Sequence, residues 1–460
     1  MINRYRQLTF WHDSLPGELQ PRPVLDRDIE ADIAIVGAGY AGLWTAYYLK
    51  QIDPSLDIVV LEAEIAGYGA SGRNGGWCSS HVTGIEKWFE DPQHKAAALH
   101  LQRLMFKTVE EIGWVTEKES IDCHFDQSGA LEIAVQAGQL NRLKQELAHL
   151  RELGFGEEDY QWLDAGEMKA LLDVDGGLGG FRLSHCAAVH PARLARGLAD
   201  CVERMGVKIY EQSPVLNIEQ KVLTLPAARV RAEINLITTE GYTANLAKHR
   251  KRLTPIHSMM VATEPLNQEQ LAETGFKQRY TFGNFDRATT YGQLTADKRI
   301  AFGCRGTYLF GSGIRTSFDP AEPVFDIVRN TLLQFFPGLR GVGFTHAWGG
   351  AMGVARSMQP SVHFNPSTGQ GWAGGFFGSG VAATHLAAQT LADLVTGQDT
   401  ERLQTPWVNS PDAHKIWEPE PFRWVGIRYT RAMMQVIDRI EYRSGRFSPA
   451  VCRVLDRLLP

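Results

Sequence analysis

The sequence predicts an α/β protein with a second, α+β domain, on three observations. Residues 31–62 read as strand, tight turn, helix, strand. A further strand-like apolar run stands at Ala232–Thr239. After it, residues 251–339 hold a series of short β-rich runs that read as an antiparallel sheet.

The first of these carries the most chemistry. Ile33-Ala34-Ile35-Val36 is too short for a helix and β-branched enough for a buried strand. Gly37, Gly39 and Gly42 follow as G-x-G-x-x-G, then a helical pattern (Leu43, Ala46, Tyr47, Leu49), then the apolar run Ile58–Leu61 ending at Glu62. In such a Rossmann-like unit Gly37 makes the turn, Gly39 lets a pyrophosphate approach the backbone, and Gly42 lets the helix pack on the strand. The helix N-terminus, with Ala41 in its first turn, offers free N–H groups and a positive dipole end. Glu62 lies 20 residues past Gly42, where an acid can bind a ribose hydroxyl, and Ala63 adjoins it.

Composition narrows the classes. A chain of 460 residues is too long for one compact core and suggests two intertwined domains. With 44% hydrophobic and 22% charged residues it is ordinary for a globular protein, and a net charge of −5 gives no reason to expect nucleic acid. The six cysteines are scattered, without C-x-x-C or metal-ligand spacing, which fits a reducing compartment. The N-terminal stretch lacks the apolar core of a signal peptide, and no run of about 18 apolar residues marks a membrane span, so the expected location is cytoplasmic. The expected plan is a nucleotide-binding domain from 28–92, 184–250 and 340–400, and a substrate domain from 93–183 and 251–339. Residues 1–27 read as an arm on the surface, and 401–460 as a helical tail.

A second glycine-dense stretch, Gly67-Tyr68-Gly69-Ala70-Ser71-Gly72-Arg73-Asn74-Gly75-Gly76, has no obvious place in a plain NAD domain. Later come Thr345-His346-Ala347-Trp348-Gly349-Gly350 and a glycine-rich helix start, Gly374–Thr384. Taken with the opening motif, these resemble the D-amino-acid-oxidase-like FAD-dependent oxidoreductases, in the branch of the bacterial amine oxidases. The resemblance runs in order through nearly the whole chain and implies FAD. It implies that Gly69, Ala70, Ser71, Arg73, Asn74, Gly75 and Gly76 run along the pyrophosphate towards the flavin. Val215 would meet the adenine through its backbone, and Thr238 would stand near the adenosine. Gly378, Gly380, Val381 and Ala382 would open a helix whose positive end faces the flavin's pyrimidine edge.

On the substrate side the resemblance implies a catalytic set of Tyr291, Arg305 and Trp348. Tyr291 would orient an amine, Arg305 hold an anion, and Trp348 wall the flavin together with Trp77 and Phe377. From the residues alone, Tyr291 serves equally as a core tyrosine and Arg305 as a surface ion-pair partner. The implied reaction is hydride transfer from the carbon beside a neutral amine to flavin, imine hydrolysis to a carbonyl compound and an amine, and reoxidation by O2 to H2O2. The implied substrate is a primary or secondary amine, of γ-glutamylputrescine type or bearing another anionic group. An apolar pocket would favour the neutral amine.

Three absences refine this. Residues 67–76 hold no His and 345–359 no Cys, so the FAD is expected to be non-covalent. Ala382 stands where sarcosine-oxidase relatives hold a substrate carboxylate with lysine. Ala301 stands where those relatives place an oxygen-activating lysine. A dehydrogenase of the same fold is therefore the alternative, with a non-catalytic flavin-binding sensor as a third reading. Residues 421–460 carry eight Arg against three acids, and Val425, Tyr429, Met433, Ile437 and Ile440 fall at helical spacing. A basic amphipathic helix can bind an anionic membrane; docking on the enzyme's own body or a partner subunit is the favoured use.

Overall fold

Two eight-stranded sheets organise the chain. The computed structural model describes residues 4–285, 289–410 and 415–444; the side chains of Arg305 and residues 441–444 lie outside that description. The first sheet centres on Ile29–Val36. Ile58–Leu61 and Arg229–Ile237 flank it in parallel, and Lys208–Tyr210 and Gln370–Gly374 extend it in the same direction. Residues 33–36 are all buried because the sheet is covered on both faces, which is why they show no alternation. Val36 lies beside both Leu61 and Ile237, so the turns that follow these three strands meet at one edge. Helices Tyr40–Ile52, Pro191–Arg204 and Gly380–Thr396 bury Leu43, Leu49, Leu198 and Leu386 in one core. Pro191 opens its helix at the first turn, and the ring of His190 accepts the Arg193 N–H at 3.2 Å, a helix cap.

The second sheet runs Phe344–Ala355, Leu253–Thr263, Ile300–Tyr308, Thr290–Leu294, Thr281–Asn284, Ala130–Ile133, Gly180–Leu183, Tyr160–Leu163. Every pairing is antiparallel except Thr281–Asn284 with Ala130–Ile133. Helix Pro323–Phe335 packs on one face through Phe325, Val328 and Leu332.

Three expectations are corrected. The strand Phe344–Ala355, placed by sequence in the nucleotide-binding segment 340–400, pairs along its length with Leu253–Thr263 of the second sheet. Local sequence marks a strand, and long-range pairing chooses its sheet. Helix Lys95–Lys118, placed in the substrate domain, buries Leu101, Met105 and Val109 in the core of the first sheet's helices. The N-terminal arm is not superficial: Tyr5, Phe10 and Trp11 are buried, and a short helix Phe10–Asp13 is capped by Thr9. Its aromatic content is what drives it inward. The tail helix Phe422–Ser444 buries Ile437 but leaves Val425, Tyr429 and Ile440 at 53–54% exposure, so most of the expected docking face is turned to solvent. Residues 445–460, the rest of the basic tail, lie outside the described residues. Among the described residues no helix is long and apolar enough to cross a membrane.

Candidate active site

A cavity of about 1030 Å³ lies between the two sheets and is lined by both. One end is the meeting point of the three turns. Gly37 has φ +105, and its N–H donates to Leu61 O at 2.8 Å. A Cβ on Gly42 would sit 2.1 Å from Gly37 O, and one on Gly39 would sit 2.9 Å from Ser71 Oγ. The first glycine makes the turn, the third allows helix and turn to touch, and the second leaves the backbone open to the cavity. The first helical hydrogen bond runs from Leu43 N–H to Gly39 O at 3.0 Å. Glu62 is partly buried here and accepts the N–H of Ala38 at 2.8 Å and of Glu64 at 3.0 Å. Burial outweighs these two donors and pushes its carboxyl up to about 7. Ala41, Ala63, Val215 and Thr238 also line this end, with the Thr238 hydroxyl donating to Val36 O at 2.9 Å.

The second glycine stretch forms the adjoining wall through Gly69, Ala70, Ser71, Arg73, Asn74 and Gly75. Ser71 Oγ accepts Tyr40 N–H at 2.8 Å, tying this loop to the helix N-terminus. The Asn74 amide donates to Ala70 O and Ser71 O and accepts Gly76 N–H, so it braces the loop. Arg73 is 1% exposed. Its guanidinium donates to Tyr68 O at 2.7 Å, Thr316 O at 2.9 Å and Gly349 O at 3.1 Å. Its Nη2 is buried with no hydrogen-bond partner among the described residues. A Cβ on Gly350 would stand 2.9 Å from Arg73 Cβ, so the W-G-G signal marks the place where the second sheet admits this arginine. Trp11 of the N-terminal arm donates to Asn74 O at 2.8 Å from behind the loop.

Opposite, Gly378, Ser379, Gly380 and Val381 bring the start of helix Gly380–Thr396 to the cavity. Glu240 holds the preceding turn, accepting Gly375 N–H at 2.9 Å and Phe376 N–H at 3.2 Å. Burial pushes this carboxyl up to about 7 as well. Nothing in the sequence marked Glu240, since its partners are backbone groups about 135 positions away.

Next to Gly75 the cavity is walled by Trp77 and Tyr291. Their rings meet edge to face at 6.5 Å, and Trp77 Nε1 donates to Gly292 O at 3.0 Å. A Cβ on Gly75 would touch the Tyr291 ring at 2.7 Å. Tyr291 is thus brought to the glycine loop from the cavity side, and Trp348 meets the same loop from behind. Trp348 is 1% exposed and does not line the cavity; its Nε1 donates to Arg73 O at 2.9 Å, and its ring packs on Trp11. It stands behind Arg73 as a support. Phe377, expected as a wall, packs instead with Val354 and Trp417. The Arg305 backbone pairs with Ser258, which lines the cavity, while its side chain lies outside the described residues. Gly42, Gly76 and Ala382 lie behind the lining rather than in it. Gly76 (φ +72) packs against Gln293, and Ala382 is fully buried in the helix core. Sequence reasoning missed Tyr242, against which Gly69 packs, and the charged residues of the far end described below.

The profile of the FAD dependent oxidoreductase (DAO) family matches residues 32–394. The chain belongs to this family. It is 30% identical over 388 residues to gamma-glutamylputrescine oxidoreductase of Escherichia coli (strain K12), covering 83% of this chain and 87% of that protein. Two solved structures share the fold. Glycine oxidase from Geobacillus kaustophilus has a TM-score of 0.66 at 20% identity, over 81% of this chain and 96% of its own. L-proline dehydrogenase from P. horikoshii has a TM-score of 0.66 at 18% identity, over 83% and 98%.

The residues present fit FAD, the cofactor of this family of oxidoreductases. Glu62 is a partly buried carboxylate lining the cavity that two backbone donors leave short of compensation, and a ribose diol supplies donors. The open backbone at Gly39 beside a helix N-terminus suits a pyrophosphate. The unpartnered Arg73 Nη2 is a buried donor beside the loop that leads from there to Tyr291.

Proposed function

We propose that this FAD-dependent oxidoreductase oxidises the C–N bond of an amine. The observation that carries the reading is the 30% identity to gamma-glutamylputrescine oxidoreductase over 83% of the chain. In it, a primary or secondary amine of γ-glutamylputrescine type, or another amine bearing an anionic group, loses a hydride from the carbon next to nitrogen. Water then adds to the imine and releases a carbonyl compound and the amine or ammonia. Non-covalently bound FAD would supply the two-electron chemistry that takes up the hydride, with O2 as the final acceptor and H2O2 as the product.

The chain's own part is positioning and electrostatics. Gly37, Gly39, Glu62 and the loop from Gly69 to Gly75 hold the nucleotide, with Arg73 clamped between the sheets. The helix starting at Gly380 turns its positive end to the site, where it stabilises negative charge. Trp77 and Tyr291 wall the reaction end; the exclusion of water there penalises an ammonium and so favours the neutral amine, and the Tyr291 phenol orients it. Arg305 is retained, on the sequence resemblance, as the group that holds a substrate anion.

A dehydrogenase that passes electrons to a carrier or quinone is the second reading, favoured by the full burial of Ala301 at the position where oxygen-activating relatives carry lysine. One experiment separates them: an anaerobic screen of amines on the purified protein, following bleaching of the flavin band, with peroxide measured on readmission of air. Bleaching with prompt peroxide supports the oxidase. Bleaching with slow reoxidation in air and fast dye reduction supports the dehydrogenase. A flavin band that no amine bleaches sinks both and leaves the sensor.

A further inference from the structure

The cavity does not end at Tyr291. It runs on into an arm that none of the steps above uses. Helix Ala137–Glu152 presents Glu146 to it, and Glu86 enters from the short helix Ile85–Glu90. Tyr160, from the edge strand of the second sheet, Phe181, from the strand beside it, and Phe89 supply aromatic surface. Glu146 is partly buried and Glu86 is exposed at the solvent side. Neither carboxylate makes an ion pair or hydrogen bond among the described residues. The nearest basic groups on the same helix face are Arg142, whose guanidinium donates to Phe285 O at 2.6 Å, and His149.

The two acids act on common space. Burial raises the Glu146 carboxyl above its ordinary value and Glu86 raises it further, His149 acting the other way; both acids also push up the Tyr160 phenol. Like charges facing one another in a half-dry pocket are relieved by a cation, and aromatic faces beside them favour one too. The arm is continuous with the space beside Trp77 and Tyr291, so a molecule with its reacting carbon there extends its far end between the acids.

We propose that this arm is a cation subsite, and that the enzyme selects amines carrying a second, distant ammonium group: diamines and longer polyamine-like molecules. The proposal rests on the amine-oxidation reading above; within it, a distant cationic group on the substrate, rather than the anionic group assigned to Arg305, sets the substrate class. The reacting nitrogen is neutral against Trp77, while the far nitrogen stays charged beside Glu146 and Glu86.

The test uses the yellow holoenzyme and stopped-flow bleaching under anaerobic conditions. Straight-chain α,ω-diamines are compared with monoamines of equal length, in the parent and in Glu146→Gln and Glu86→Gln. The parent is expected to favour the diamine, Glu146→Gln to cut the diamine-to-monoamine ratio about tenfold, and the exposed Glu86→Gln to cut it less and in a salt-dependent way. An unaltered flavin spectrum reports that each variant is folded. Equal efficiency for diamines and monoamines in the parent, with both bleaching the flavin, overturns the cation subsite and leaves amine oxidation standing. A diamine preference that survives both substitutions overturns it too. Bleaching by no amine at all removes the underlying reading and the subsite with it.

Discussion

The two ends of the cavity are built in opposite ways. The nucleotide end is made of backbone: glycines at close approach, a helix N-terminus, and acids that accept main-chain N–H groups, drawn largely from residues 37–76. The far end is made of side chains from separate elements, with Glu86, Glu146, Tyr160 and Phe181 meeting only in the folded chain. A backbone-built site tolerates few changes, because adding a single Cβ collides with main chain. A side-chain-built site can change its ligand one substitution at a time. The first end suits a cofactor held in common with other proteins, and the second suits a substrate particular to this one.

This contrast can be broken or sharpened by substitution. The largest effect is expected at the backbone end. Gly42→Val places a side chain where a Cβ alone would already stand 2.1 Å from Gly37 O. The cost is expected to exceed about 4 kcal/mol, with loss of the yellow cofactor, read by thermal unfolding and absorbance. A yellow, stable Gly42→Val protein would refute the backbone account.

Arg73→Met comes next. It leaves the carbonyls of Tyr68, Thr316 and Gly349 without this donor, at about 3 kcal/mol, and FAD retention on gel filtration should fall with it. A third test uses pH. Glu240 is raised from an ordinary 4.5 to about 7. A carboxyl raised on folding stabilises fully below its unfolded pKa, and that contribution is lost as pH rises through the folded one. Stability should therefore decline by on the order of 3 kcal/mol between pH 4.5 and 7 on this group's account, and Glu240→Gln should flatten that part of the profile in denaturant titrations. An unchanged slope would place the pH dependence elsewhere.

The smallest change sharpens the supporting role of Trp348. Trp348→Phe removes one hydrogen bond to Arg73 O and should cost about 1 kcal/mol. Flavin bleaching by substrate should then change by less than about tenfold, since that fold-change corresponds to 1.4 kcal/mol. A hundredfold loss of rate without loss of stability would restore the catalytic part that the sequence resemblance gives this residue.

The nucleotide end was legible because its constraints are local. The spacing from Gly37 to Glu62 reports a turn, a helix start and a strand end, and the structure places all three together. The identity of the second sheet's strands was legible from composition, but not their order. Phe344–Ala355 looks the same in sequence whichever sheet it joins, and only its register with Leu253–Thr263 decides. The packing of Trp348 behind the loop was hidden for a related reason. A W-G-G signal locates a close approach, and the partner of that approach, Arg73, lies 275 residues away. Glu146 was invisible because a glutamate on an amphipathic helix is ordinarily solvated. Only the opposing strands turn that face into a cavity wall.

The N-terminal arm has a consequence for how the chain is made. Trp11 packs on Trp348, Ser14 meets the ring of His190, and Asp13 pairs with His346 at 3.3 Å. These partners leave the ribosome long after the arm does. The arm thus waits, with Phe10 and Trp11 uncovered, until some three hundred more residues have followed it, and is among the last segments to find its place.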